Sequence, residues 1–195
     1  MLNHIRPAVV MIALFTGVLG VAYPFAVTGV AQAAFSDQAG GSLVRDKAGK
    51  VVGSALVGQN FAAPGYLHPR PSAAGDGYDA SASSGSNLGP LNPDLIERVK
   101  TDADALRVEV GTAAVPADAV TTSASGLDPH ISPAYARLQA ARIAEARGVA
   151  VEEVSKVIEK HVEGRTFGVL GQPRVNVLLT NMALNARFAR PAAEG

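Results

Sequence analysis

The chain contains neither cysteine nor tryptophan. The lack of cysteine suits a reducing or an oxidising compartment equally, and it leaves the histidines without a thiolate co-ligand. Charge of one sign is also missing: Lys plus Arg and Asp plus Glu both number 17. There is therefore no basic excess to hold nucleic acid and no acidic tail. Aromatic residues are scarce, six Phe and four Tyr, whereas Ala and Val are abundant. The core is expected to be built from small, helix-compatible side chains. The familiar motifs of catalysis are absent as well. No Gly-x4-Gly-Lys-Ser/Thr loop cradles phosphate, and no Gly-x-Ser-x-Gly elbow or HExxH pair occurs. Gly75-Asp76-Gly77-Tyr78-Asp79-Ala80 matches the dinucleotide fingerprint only loosely, within a Ser/Gly-rich stretch rather than between a strand and a helix. His68, His130 and His161 are isolated in sequence. A site joining His68, Asp79 and His130 would need distant loops to meet, so these histidines read as polar loop and helix-surface residues. No catalytic residue and no metal ligand is assigned.

The longest absence is of charge itself, since no charged side chain occurs from Pro7 to Ser36. A bilayer's hydrocarbon core, about 30 Å thick, is crossed by roughly 20 apolar residues in a helix. Ala8–Val27 (AVVMIALFTGVLGVAYPFAV) meets that length by itself. Pro24 lies inside the run, where it would kink a helix without forbidding a span. Ala31-Gln32-Ala33 fits a signal-cleavage site, which leaves a second reading in which the mature protein starts at Ala34. The apolar stretch is far longer than the 7–15 or so residues that a signal core uses, so a retained anchor is the favoured reading. Ala13, Gly17 and Gly20 form a small-residue stripe that would allow close packing against a partner helix. His4 and Arg6 precede the span, while Asp37, Arg45, Lys47 and Lys50 follow it, so the charge rule is nearly neutral. A head this short stays in the cytoplasm, which puts the bulk of the chain outside. The expected organisation is a membrane anchor over 1–35, spanning about 8–30, and a soluble extracytoplasmic domain over 36–195.

Within the domain, Gly41–Gly58 reads as strand–turn–strand, with Leu43-Val44-Arg45 and Lys50-Val51-Val52 flanking Asp46-Lys47-Ala48-Gly49. Gln59–Pro93 is dense in Gly, Pro, Ser and Asn and has no periodicity. Phe61, Tyr66, Leu67, Tyr78 and Leu88 are spaced through it as anchors, so it reads as an ordered irregular segment packed on the domain. Asn92-Pro93 opens a helix with Leu95, Val99, Ala103 and Leu106 on one face and Gly111 as its stop. Val120-Thr121-Thr122 is expected as a short strand. Ser132-Pro133 repeats the cap-plus-proline signature before a helix over 134–147 that Gly148 ends. Val154, Val157, Ile158 and His161 mark another helix, ending near Gly164. The segment from Val175 through Met182 reads as helix, with a strand at its start as the alternative. The fold class is α+β: one N-terminal transmembrane helix, then a single small globular domain of short helices, a hairpin or small sheet and long irregular loops.

Several strings occur in a fixed order: GSLVRDKAGKVVGSALVGQNF (Gly41–Phe61), GYLHPRPSA (Gly65–Ala73), SSGSNLGPLNP (Ser83–Pro93), SGLDPHISPAYARLQAARIA (Ser125–Ala144) and EGRTFGVLGQPRVNVLLTNMAL (Glu163–Leu184). With the head RPAVVMIALFTGVLGVAYPFAVTGVAQ (Arg6–Gln32), they resemble the C subunit of the Kdp potassium-transporting P-type ATPase. The departures are Leu67, where that family often has an aromatic, and Thr180, where an acidic residue is frequent before Asn181. The resemblance implies an accessory, non-enzymatic subunit of an inner-membrane complex that imports potassium at the expense of ATP. Its implied partners are the ATP-hydrolysing P-type subunit, the channel-like potassium-binding subunit, a small membrane subunit and lipid. The implied role is assembly factor and catalytic chaperone, raising the ATP affinity of the ATPase subunit. ATP is implied for the complex, whereas the chain itself has no phosphate loop for direct contact and no cofactor of its own. The alternative is a secreted or anchored binding module, or a hydrolase released by signal cleavage. Candidate partner-interface residues are Gln59, Asn60, Tyr66, Arg70, Ser72, Asn87 and Asp128, polar groups on loops that suit docking. Asn87 and Asp128 also suit turn capping. Arg70, between Pro69 and Pro71, is the leading candidate, with alanine there expected to weaken assembly while the domain stays folded.

Overall fold

The computed structural model describes residues 4–111 and 114–189. The chain divides into two compact units, 1–52 and 53–195.

The first unit opens with one continuous helix, Ile5–Ala34, long and apolar enough to cross a membrane. At 1.5 Å per residue its thirty residues reach about 45 Å. It consists of α1 (Ile5–Gly17), a π-helical turn at Val18–Ala22, and α2 (Tyr23–Ala34). The wide turn answers a steric problem. Pro24 has no N–H, and its ring would press on the carbonyl four residues back. In the π turn the Tyr23 N–H donates to Val18 O, five residues back, and the helix continues through Pro24. A short helix, α3 (Ser36–Ala39), follows. β1 (Leu43–Arg45) and β2 (Val51–Ser54) then form the expected two-stranded hairpin. Its tip is fixed by the Asp46 carboxylate, which accepts from the N–H groups of Ala48 (2.9 Å) and Lys50 (3.0 Å), and by Gly49 at φ 79°.

The second unit begins with an irregular stretch, and no helix or strand occurs between β2 and α4 (Pro93–Val110). α4 has the expected ends. The Asn92 side chain accepts from Asp94 N–H, and Gly111 adopts a left-handed conformation. Of its predicted inner face, Ala103 is buried and Leu95, Val99 and Leu106 are half-buried. Val120–Thr122 is a correction. The chain forms a 3₁₀ turn over Ala117–Ala119 rather than a strand. The Thr121 hydroxyl bonds back to Ala117 O at 2.7 Å, and the carbonyls of Thr121 and Thr122 accept from Arg70 instead of from a neighbouring strand.

The core sheet has the order β3 (His130–Ile131), β5 (Arg174–Asn176), β4 (Val162–Glu163), all antiparallel. Val175 is its centre, opposite Ile131 on one side and Val162 on the other, and is fully buried. Against the sheet lie α5 (Pro133–Leu138), α6 (Ala140–Arg147), α7 (Val151–Lys160) and α8 (Val177–Arg187). Ser132 caps α5 and Gly148 ends α6, as their residue types require. The expected single helix over 134–147 is broken at Gln139. There the N–H bonds to Ala136, three residues back, and tightens the last turn of α5. α7 ends at Lys160, and strand β4 occupies the residues before Gly164. Val175 belongs to a strand and Leu178–Met182 to a helix, so the alternative of a strand at the segment's start holds. The core is built from Ile143, Ile158, Val154, Leu184 and several alanines, with Leu67 from the irregular stretch fully enclosed among them.

Candidate functional site

The irregular stretch after β2 is strapped to the helices by side chains acting as a strand would. A buried peptide with no neighbouring strand must find partners elsewhere. Asn181 on α8, 1% exposed, supplies both partners for Leu67: its Oδ1 accepts from the Leu67 N–H at 2.8 Å and its Nδ2 donates to Leu67 O at 3.0 Å. Gln139, 2% exposed, does the same for the next residue, accepting from His68 N–H at 2.7 Å and donating to His68 O at 3.1 Å. The break between α5 and α6 is where this side chain leaves the helix surface to reach the strap.

Two arginines complete the fastening. Arg142 donates to Pro64 O, to Tyr66 O at 3.1 Å and to Gln139 Oε1 at 2.6 Å, and its Nε lies 3.0 Å from Glu109 Oε1. Arg147 donates to Gly65 O at 2.6 Å and to Asn185 Oδ1 at 2.9 Å, and its guanidinium stacks 5.1 Å from the Tyr66 ring centre. Burial, followed by the Arg142 charge, pushes the His68 imidazole below its ordinary pKa. A folded-state pKa below the unfolded value means that the unfolded chain takes up the proton first. The His68 contribution is thus fully present above about pH 6.5 and is lost as pH falls from there through the folded value. Thermal unfolding should show Tm dropping between neutral pH and pH 5.5, and His68→Gln should flatten that drop.

A second cluster ties the stretch to the loop before β3. Arg70 donates to Thr121 O and Thr122 O, both at 3.3 Å, and pairs with Asp128 at 3.1 Å. The Ser72 hydroxyl donates to Gly126 O at 2.6 Å and accepts from Tyr78 N–H at 2.9 Å. The Tyr78 hydroxyl donates to Arg70 O, and burial raises the phenol's pKa well above its ordinary value. Burial pushes the Asp128 carboxyl up, but hydrogen bonds from His130 and Arg70 outweigh it and hold the pKa below the usual range. The backbones touch as well. A Cβ on Gly126, at φ 68°, would meet Ser84 O at 2.6 Å and Ala74 N at 2.7 Å.

The sequence-derived candidates are thus distributed over different environments. Arg70, Ser72 and Asp128 come together, but their polar groups face one another and the adjoining backbone. Tyr66 is half-buried, accepting from Asn185 Nδ2 at 3.3 Å. Gln59 packs its amide over Gly53, where an added Cβ would sit 2.1 Å from Nε2. Asn60 and Asn87 are exposed, Asn87 in a left-handed conformation at φ 53°. Of the anchors, Leu88 is corrected: placed between Asn87 and Gly89, it is 36% exposed. Arg70→Ala is expected to cost about 2 kcal/mol, because it removes charge-assisted bonds from a pair less than a third exposed. Denaturant titration of the full chain in detergent checks this.

His68, Asp79 and His130 make separate contacts, with Ala63 O, Ser81 and Asp128 respectively. Among the described residues no group of three or more His, Asp or Glu could hold a metal ion. Sequence reasoning missed Asn181, Gln139, Arg142 and Arg147. For the two amides the available signal was a lone Asn or Gln set among apolar neighbours, in LLTNMAL and in LQAA.

Comparison with known proteins places this architecture. Residues 5–186 match the family model KdpC, described as "K+-transporting ATPase, c chain". The chain is 64% identical over 195 residues to the potassium-transporting ATPase KdpC subunit of Caulobacter sp. (strain K31), with all of both chains covered. It is 60% identical over 190 residues to that of Beijerinckia indica, covering 96% of each. With the subunit of Mycobacterium bovis (strain BCG) it shares 51% over 188 residues, 95% of this chain and 99% of the other. The matched region takes in the apolar helix and nearly all of the strapped α+β unit, and the chain belongs to the KdpC family of K+-transporting ATPase c chains.

Proposed function

We propose that this chain is the single-span accessory subunit of an ATP-driven potassium-uptake complex of the inner membrane. Its first residues face the cytoplasm and its folded unit lies outside. It assembles with the ATP-hydrolysing P-type subunit, the channel-like potassium-binding subunit and a small membrane subunit. The observation that carries this reading is the family match over residues 5–186, which takes in the apolar helix and the folded unit alike.

In this reading the chain acts as assembly factor and catalytic chaperone. A domain on the outer face meets no ATP, so it raises the nucleotide affinity of the ATPase subunit at a distance. It does so by contacting one conformational state of the complex more favourably than another, and the shift cannot exceed that difference in contact energy. Gln59, Asn60, Tyr66 and Asn87 are the exposed and half-buried polar residues assigned to such contacts, with Arg70, Ser72 and Asp128 shaping the loops between them.

Three measurements test the proposal together. Protease added to spheroplasts should digest the folded unit while the N-terminal residues stay protected. A photoreactive ATP analogue should label the ATPase subunit and not this chain, and removal of the chain should weaken nucleotide binding by the ATPase subunit. A protease-shielded domain, or a labelled one, would defeat the reading.

A further inference from the structure

The connection between β4 and β5 leaves the domain altogether. Every residue from Glu163 to Arg174 is exposed, while the neighbouring Val175 is fully buried. The tip is apolar: Phe167 is 90% exposed, Val169 71% and Leu170 60%. Its shape is nevertheless fixed. Thr166 N–H donates to Leu170 O at 2.9 Å and Leu170 N–H to Thr166 O at 3.0 Å, while Gly168 N–H donates to Arg165 O at 3.0 Å. The turn also uses left-handed backbone at Gly168 (φ 77°), Gly171 (φ 78°) and Phe167 (φ 54°).

Phe167 is the informative residue. A bulky side chain in the left-handed region is a true outlier, and Gly or Asn would sit there with less strain. Nothing within the fold accounts for the phenyl group, because it is almost wholly in solvent. Strain kept at an exposed position points to a contact outside the chain. The collar adds a charge argument. Arg174 is answered by Glu163 at 2.8 Å, whereas among the described residues Arg165 is met only by the amide of Gln172 at 3.0 Å. An apolar apex with a polar rim is the anatomy of a protein-binding hot spot. A lipid surface would accept an apolar tip of any shape and would not require a pre-formed turn.

We infer that the hairpin tip Phe167–Leu170 is a plug that seats in an apolar socket on a larger subunit of the same transport complex, with Arg165 meeting a carboxylate on the socket's rim. This rests on the accessory-subunit reading above. The apolar residues supply the affinity by leaving water, and the rigid turn lowers the ordering penalty of binding.

The chain's lack of tryptophan provides a clean probe, since Phe167→Trp introduces the only one. In the assembled complex, with the signal taken as the difference from complex carrying the parent chain, this residue should emit at shorter wavelength and resist aqueous quenchers. In the chain alone in liposomes it should emit as in water and be untouched by brominated lipid. Phe167→Asn suits the left-handed backbone, so it should keep or raise Tm while weakening co-purification with the larger subunits about tenfold or more. Arg165→Gln should weaken it less, and more so at low salt than at high salt. A water-like Trp in the assembled complex, or undiminished co-purification of Phe167→Asn, would overturn the plug while leaving the subunit reading intact. Quenching by brominated lipid in the chain alone would overturn it in favour of a bilayer contact. Failure of the unmodified chain to co-purify at all would instead defeat the subunit reading.

Discussion

Replacing Asn181 with alanine is expected to destabilise the folded unit by about 3 kcal/mol, since two buried peptide groups lose their partners at ~1–3 kcal/mol each. Both groups belong to Leu67, whose side chain is itself fully enclosed. Water cannot replace the amide without opening the contact between strap and helices. The effect should therefore exceed that of removing any surface ion pair in the chain, for which ~0–1 kcal/mol is usual. Denaturant titration of the full chain in detergent gives the magnitude. Amide exchange gives the location: the Leu67 and His68 N–H groups should be protected like those of a central strand in the parent and should lose protection in the variant. Asn181→Asp separates the two bonds, because a carboxylate keeps the acceptor for Leu67 N–H but has no donor for Leu67 O.

Gly126→Ala is expected to cost about 3 kcal/mol or more, combining ~1–2 kcal/mol for left-handed backbone with ~1–3 kcal/mol for overpacking. The obstructing atoms are Ser84 O, Ala74 N and the Ala74 side chain, and the first two are backbone that cannot swing aside. Gly148 offers the control. It has nearly the same φ, 63° against 68°, but a Cβ there would meet nothing within 4 Å. Gly148→Ala should show the conformational cost alone, about 1–2 kcal/mol. The difference between the two variants, read from their denaturation midpoints at equal slope, measures the crowding where three loop segments cross.

What could be read from the sequence was whatever closes locally. Asn92-Pro93 and Ser132-Pro133 mark helix starts because the cap bonds to a residue two or three positions on. Gly111 and Gly148 mark helix ends for a reason confined to one residue's backbone. Asp46 organises the hairpin tip through partners two and four positions away. The fastening of the irregular stretch was not legible, because its bonds join residues 71 and 114 positions apart. Strands of two or three residues such as β3 and β4 are too short to show alternation, and their existence depends on the neighbour they meet in space. The candidate interface was read from polarity on loops, yet Arg70, Ser72 and Asp128 turn much of that polarity towards one another. Phe167 carried the opposite signal, an apolar residue between Thr166 and Gly168, and only its exposure separates it from a core position.

The wide turn at Val18–Ala22 has a consequence for how the apolar helix can pair. One extra residue in a turn rotates everything beyond it by about 100° relative to an unbroken α-helix. A wheel drawn through all thirty residues would therefore misalign Phe25 and Val30 with Ile12 and Phe15. A helix packing along this rod meets two stripes out of phase, one on each side of the turn. Its own surface must carry the same offset, or else bind only one half.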